Sequence, residues 1–137
     1  MIPKQLITIG LLGAISVALG ALGAHALKNQ LPSGLITVDQ LNGFDTAVKY
    51  QMYHTLAMFL IVLFNKELDN KFLKLAYRLF FWGIILFSGS LYFLCSRNLM
   101  GVDQLKILGP ITPIGGLLFV AGWLMLVAAV IVNTKKN

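Results

Sequence analysis

The sequence predicts an all-α membrane protein: a four-transmembrane-helix bundle with a short interfacial helix between spans one and two. Three observations carry this. The chain is 58% hydrophobic and 12% charged, with a mean hydropathy of +0.81, whereas a soluble domain is about 25% charged. Its apolar residues gather in four stretches, about 6–24, 46–64, 75–95 and 107–132, each near the roughly 20 residues that cross a hydrocarbon core. The connectors are too short and too polar to build a second core, so residues 1–137 read as a single integral membrane domain.

Span one, "LITIGLLGAISVALGALGA", sets Gly13, Ser16, Gly20 and Ala24 three or four residues apart on one helix face, where small side chains admit a neighbouring helix. "AHA" at 24–26 resembles a small-residue cleavage site. The apolar stretch before it is longer than a secretory signal core of about 7–15 residues, and Lys4 is the one charged side chain ahead of it, so a retained span is expected.

The connector that follows contains Pro32, Gly34 and Asn42–Gly43, all turn formers. Within it "TVDQ" at 37–40 fits a capping box, with Thr37 as the cap and Gln40 reaching back. A short helix is expected to start there. Its Leu41, Phe44 and Val48 share a side, which would lay it in the membrane interface before the chain bends into span two. Asp45 and Lys49 are four apart in the favourable order for a surface ion pair.

Span two places Gln51, His54, Thr55 and Met58 on one face, expected to point into the bundle because a histidine in lipid would lose its hydrogen bonds. Tyr50 and Tyr53 read as interfacial belt residues, with Lys49 snorkelling to the surface. After the charged connector "NKELDNKFLK", span three carries Gly83 and Ser90 at seam spacing and Ser88, Tyr92 and Cys95 on another face. Span four starts with Pro110 and Pro113, where a missing backbone N–H costs little, and continues with Gly115, Gly122 and Ala129 as a further seam. Gly13, Ser16, Gly20, Gly83, Ser90, Gly115 and Gly122 are thus the expected packing residues.

Counting residues inward from the span ends brings Ser16, His54, Ser88 and Gly115 to one depth, about 12 Å below the surface at a rise of 1.5 Å per residue. The candidate polar site is therefore His54, Gln51, Thr55, Ser88, Tyr92 and Thr112, with His25 a weaker member. Ser88, Tyr92 or Thr112 are the expected partners of His54. Two readings of His54 stand open: a structural residue hydrogen-bonded across helices, or a ligand for a quinone or haem. A haem held by both His25 and His54 would need span one to break near Gly23.

Several classes of function lose support. No Asp or Glu lies inside the four stretches, which removes the usual proton relay or cation site of a transporter. Two histidines without a buried carboxylate make a weak hydrolytic zinc site, and no base-oriented nucleophile is apparent, so no metal site and no enzymatic activity are expected. Cys95, the one cysteine, excludes an internal disulfide. The net charge of +6 fits topology and anionic lipid better than nucleic acid, of which no binding motif is present. With four spans, one side holds Lys4, Lys66, Lys71, Lys74, Arg78, Lys135 and Lys136 and the other Lys28, Lys49, Arg97 and Lys106. That excess predicts both termini in the cytoplasm.

"GALGAHALK" at 20–28, "FDTAVKYQMYHTLAM" at 44–58, "GIILFSGSLY" at 83–92 and "GPITPIGGLLFVAGW" at 109–123 together resemble the small YgdD-like membrane proteins. This family of unknown function, domain of unknown function family 423, includes transmembrane protein 256 of animals. The resemblance implies a four-helix protein, in bacteria one of the cytoplasmic membrane, and transfers no catalytic residue and no cofactor. His25, Thr46, Tyr50, Gln51, His54, Ser88, Gly89, Ser90, Tyr92, Pro110, Thr112, Pro113, Gly115, Gly116 and Trp123 fall within its motifs. The expected function is that of a non-enzymatic accessory or assembly partner of a larger membrane complex; the alternative is a module for a quinone-like ligand or b-type haem.

Overall fold

The computed structural model describes residues 2–65 and 71–134, with side chains from Lys4 onward. Lys66, Lys135, Lys136 and most of the charged connector after span two lie outside the described residues. Those described form helices and turns, with no strand among them. Helix α1 (Ile2–Leu22) runs on through a π-turn (Gly23–Leu27) and a 3-10 turn (Lys28–Gln30). Helix α2 covers Val38–Phe64. The third span is built from α3 (Lys71–Gly83), a π-turn (Ile84–Ser88) and α4 (Gly89–Met100), and the fourth from a 3-10 stretch (Asp103–Leu108) and α5 (Ile111–Thr134). The four helices long and apolar enough to cross a membrane are Lys4–Gln30, Val38–Phe64, Lys71–Met100 and Asp103–Thr134.

The capping box forms as expected: the Gln40 amide N–H donates to Thr37 Oγ1 at 3.1 Å and the Thr37 N–H donates to Gln40 Oε1 at 2.9 Å. The separate interfacial helix does not. Helix α2 continues from Val38 to Phe64 without interruption, and Leu41, Phe44 and Val48 pack into the bundle rather than lying on the membrane surface. Asn42–Gly43, a turn signal in isolation, sits mid-helix because Gly43 serves another need. A Cβ on it would come within 2.6 Å of Cys95 Sγ, so the missing side chain lets α4 approach. Positive φ is confined, among the described residues, to Gly34 (74°) in the connector and Gly101 (65°), which caps α4.

Helix α2 is the central element, with 44% of its most apolar window buried against 17% for the first span. It packs against α1 on one side and the third span on the other, and the third span packs in turn against α5. One apolar cluster unites Met58, Ile61, Phe80, Ile84 and Phe119 with Ile9 and Leu12 of α1. A smaller one, toward the connectors, gathers Leu27, Ile36, Phe44 and Cys95.

The seam between the third span and α5 is made of glycines that each receive a phenylalanine. A Cβ on Gly83 would meet the Phe119 ring at 2.5 Å, one on Gly122 the Phe80 ring at 2.5 Å, and one on Gly115 the backbone of Phe87. Among the expected packing residues, Gly20 lies against Val48, where an added Cβ would approach to 3.3 Å, and Gly13 only grazes Thr55. Ser16 and Ser90 act through hydrogen bonds instead. The π-turn keeps the third span in register with its neighbours. Phe80 and Ser88 are both fully buried, yet a spacing of eight residues puts two side chains about 80° apart on a straight α-helix. The wider turn over Ile84–Ser88 absorbs that difference.

Candidate functional site

Gln51, at the middle of α2 and 2% exposed, ties three helices. Its Nε2 donates to the Leu12 carbonyl of α1 at 2.8 Å, and its Oε1 accepts from the Tyr92 hydroxyl of α4 at 2.8 Å. Around it, Ser16 Oγ donates to the Val48 carbonyl at 3.0 Å, Ser88 Oγ to the Ala47 carbonyl at 2.8 Å, and Thr55 Oγ1 to the Gln51 carbonyl at 2.7 Å. Ser88 and Ser16 reach across helices to carbonyls of another helix's interior, using acceptor capacity that the helical ladder leaves over. Each group thereby avoids an unpaired polar atom in hydrocarbon.

His54 occupies a different layer. Its Nδ1 lies 2.7 Å from the Tyr50 carbonyl, which can only accept, so Nδ1 carries the proton. Its Nε2 then accepts from Trp123 Nε1–H of α5 at 3.2 Å. The ring lies flat on Phe119, with centroids 3.5 Å apart and planes 8° from parallel. Phe80 is tilted against it at 5.2 Å. His54 is a neutral imidazole in an aromatic box, with both nitrogens engaged.

These positions revise the single-depth site. Ser16 and Ser88 bond to Val48 and Ala47, six and seven residues before His54 on α2, which sets them about 10 Å nearer the connectors. Counting from the ends of the apolar runs misplaced them, because the helices overrun those ends by different lengths: α2 begins at Val38, whereas the third span continues to Met100. Consequently His54 has none of its expected partners. Ser88 bonds to Ala47, Tyr92 to Gln51, and Thr112 to Ser90 at 2.6 Å between their hydroxyl oxygens. His25 is exposed and outside both layers, even though the chain does form a π-turn where span one had been expected to need a break. Gln51, His54, Thr55 and Met58 are all buried, on the inward face of α2.

Trp123 is the participant that sequence reasoning missed. It fell within a family motif without a role, and it stands twelve residues inside α5, four after Phe119 and so on the same face. An indole N–H at that depth needs an acceptor, and this was the available signal. Asn98 was also missed: its Nδ2 donates to Gln40 Oε1 at 3.1 Å, fastening the end of α4 to the start of α2. The Asp45–Lys49 pair forms at 2.6 Å with both side chains 57% exposed, a solvated surface pair. Tyr50 and Tyr53 are exposed, and the Tyr50 ring also stacks on Phe87 at 4.9 Å. Among the described residues no group of three or more His, Cys, Asp and Glu is placed to hold a metal.

Four apolar helices with polar groups consumed in interhelical bonds define a multi-pass membrane protein. The comparisons specify which. The family described as protein of unknown function, DUF423, matches residues 19–116, and the chain belongs to it. It is 39% identical over 130 residues to the UPF0382 membrane protein YwdK of Bacillus subtilis, covering 93% of this chain and 97% of that protein. It is 42% identical over 125 residues to the UPF0382 membrane protein SSP2132 of Staphylococcus saprophyticus, covering 90% and 94%. A UPF0382 membrane protein of Haemophilus influenzae is 40% identical over 123 residues, covering 90% of each. No solved structure matches the chain.

Proposed function

We propose that this protein is a non-enzymatic accessory or assembly partner of a larger membrane complex. The observation that carries the reading is a second row of small residues on α1. Gly13, Ser16 and Gly20 face α2, whereas Gly10, Ala14, Ala18 and Ala21 are exposed on the opposite side. A Cβ on Gly10 would meet nothing within 4 Å. Small residues on a lipid-facing surface leave room for another helix to approach closely. The buried polar side chains support the same view, since they hold the bundle together and present no reactive group. Haem ligation by His54 would require the Nε2 lone pair that accepts the Trp123 N–H, which counts against the haem form of the alternative.

Affinity purification at native abundance, with a photo-crosslinking residue at Ala14, tests this. A defined protein partner is expected from Ala14 and none from Leu117, which is 68% exposed on α5. Recovery of the bare chain in several mild detergents, with crosslinks to lipid alone, would refute it.

We also propose a cytoplasmic-membrane location with both termini cytoplasmic. Support comes from the charge distribution along the chain, together with relatives that are named as membrane proteins in bacteria. Reporters fused after Asn137 and within 30–36 should give cytoplasmic and external signals respectively; the reverse pattern would invert the assignment.

A further inference from the structure

A cleft of about 460 Å³ separates α1 from the third span on the connector side of the membrane. Its walls are Leu12, Ile15 and Leu19 on one side and Ile85 and Phe93 on the other, with Leu108 near its mouth. From Ile84 to Phe93 the lining runs nine residues along the third span, about 14 Å at the helical rise. One leaflet's share of a hydrocarbon core is about 15 Å. The cleft is as long as a leaflet is deep, and apolar throughout except for the Gln51, Ser90 and Tyr92 polar atoms, which are engaged in the bonds described above.

Two cations lie near its lining residues along the chain. Arg97 stands one turn beyond Phe93 on the same face of α4. The 3-10 stretch bearing Lys106, two residues before Leu108, packs back against α4. The Arg97 guanidinium donates through Nη1 to the Leu94 carbonyl at 2.6 Å. A guanidinium at headgroup level is a strong donor to phosphate oxygens. Lys106 has only a loose contact with Asp103, 3.8 Å away with side chains 64% and 81% exposed, which leaves its ammonium free to take an anion.

We propose that this cleft holds one acyl chain of an anionic phospholipid, whose phosphate is received by Arg97 and Lys106. The site is independent of the small-residue face of α1 and of any protein partner. Gly89 provides the means to test it. It lines the cleft, and a Cβ there would meet nothing within 4 Å, so a larger side chain would fill lipid space rather than clash with protein.

Native mass spectrometry of the full chain, released from detergent with phosphatidylglycerol or phosphatidylcholine of identical acyl chains, reads the outcome. One phosphatidylglycerol per chain is expected to be retained in preference to phosphatidylcholine. Arg97→Gln and Lys106→Gln should each lower that preference about fivefold. Gly89→Leu should displace both lipids alike, and Ile15→Trp should do so from the opposite wall if Gly89→Leu does not fold. Equal retention of the two lipids by the wild type, or undiminished retention when the cleft is filled, would overturn the proposal.

Discussion

Gly115→Ala is expected to be the most damaging single-methyl change in this protein. The added Cβ would land on the backbone nitrogen and Cα of Phe87, and backbone at the centre of a packed span cannot rotate aside as a side chain does. Overpacking costs about 1–3 kcal/mol where side chains can shift, so a clash with backbone should reach or exceed the top of that range. Gly83→Ala, opposed mainly by the Phe119 ring, with the Gly115 carbonyl oxygen at 3.3 Å, should cost less. Gly10→Ala, which meets nothing, should change stability by no more than about 0.5 kcal/mol. Equilibrium unfolding in mixed micelles with increasing dodecyl sulfate ranks the three variants. If Gly115→Ala unfolds together with the wild type, α5 and the third span do not pack as described.

The second large effect is expected at Gln51. Gln51→Leu removes the bond to the Leu12 carbonyl and strands the Tyr92 hydroxyl in hydrocarbon. Hydrogen bonds between membrane helices average about 0.6 kcal/mol and reach about 1.7, so losing two should cost about 1–3 kcal/mol. Tyr92→Phe alone should cost less. Added to Gln51→Leu, it should recover part of the loss, because the stranded hydroxyl disappears with it. A double-mutant cycle measures that coupling by the same unfolding assay, and simple additivity would mean that the two side chains do not share a bond.

Hydropathy made the four spans legible, since hydrocarbon demands long apolar helices whatever their packing. The cap at Thr37 was equally legible, because a capping box is a local signal complete within four residues. The inward face of α2 followed from the chemistry of Gln51 and His54, which lipid would not tolerate. What failed depended on relations between helices. No spacing within one helix indicates that Gly122 faces Phe80, or that His54 meets Trp123 rather than Ser88. The bend expected between the short helix and span two failed for the same reason: Gly43, read as a turn former, answers to Cys95, fifty-two positions along the chain, and not to its own neighbours.

The π-turn at Ile84–Ser88 makes the third span two helices on one axis, wound out of phase. Up to Gly83 the chain keeps one angular count, and beyond Ser88 it keeps another, offset by the slack of the wider turn. A residue lost from this segment would let it close up into an ordinary α-helix and leave the two halves nearly in phase, because the wider turn carries one residue more than the angle requires. The same loss within α4, where no slack exists to take it up, would swing every side chain beyond it by about 100°. Five residues act as the span's angular adjustment, holding one position in reserve.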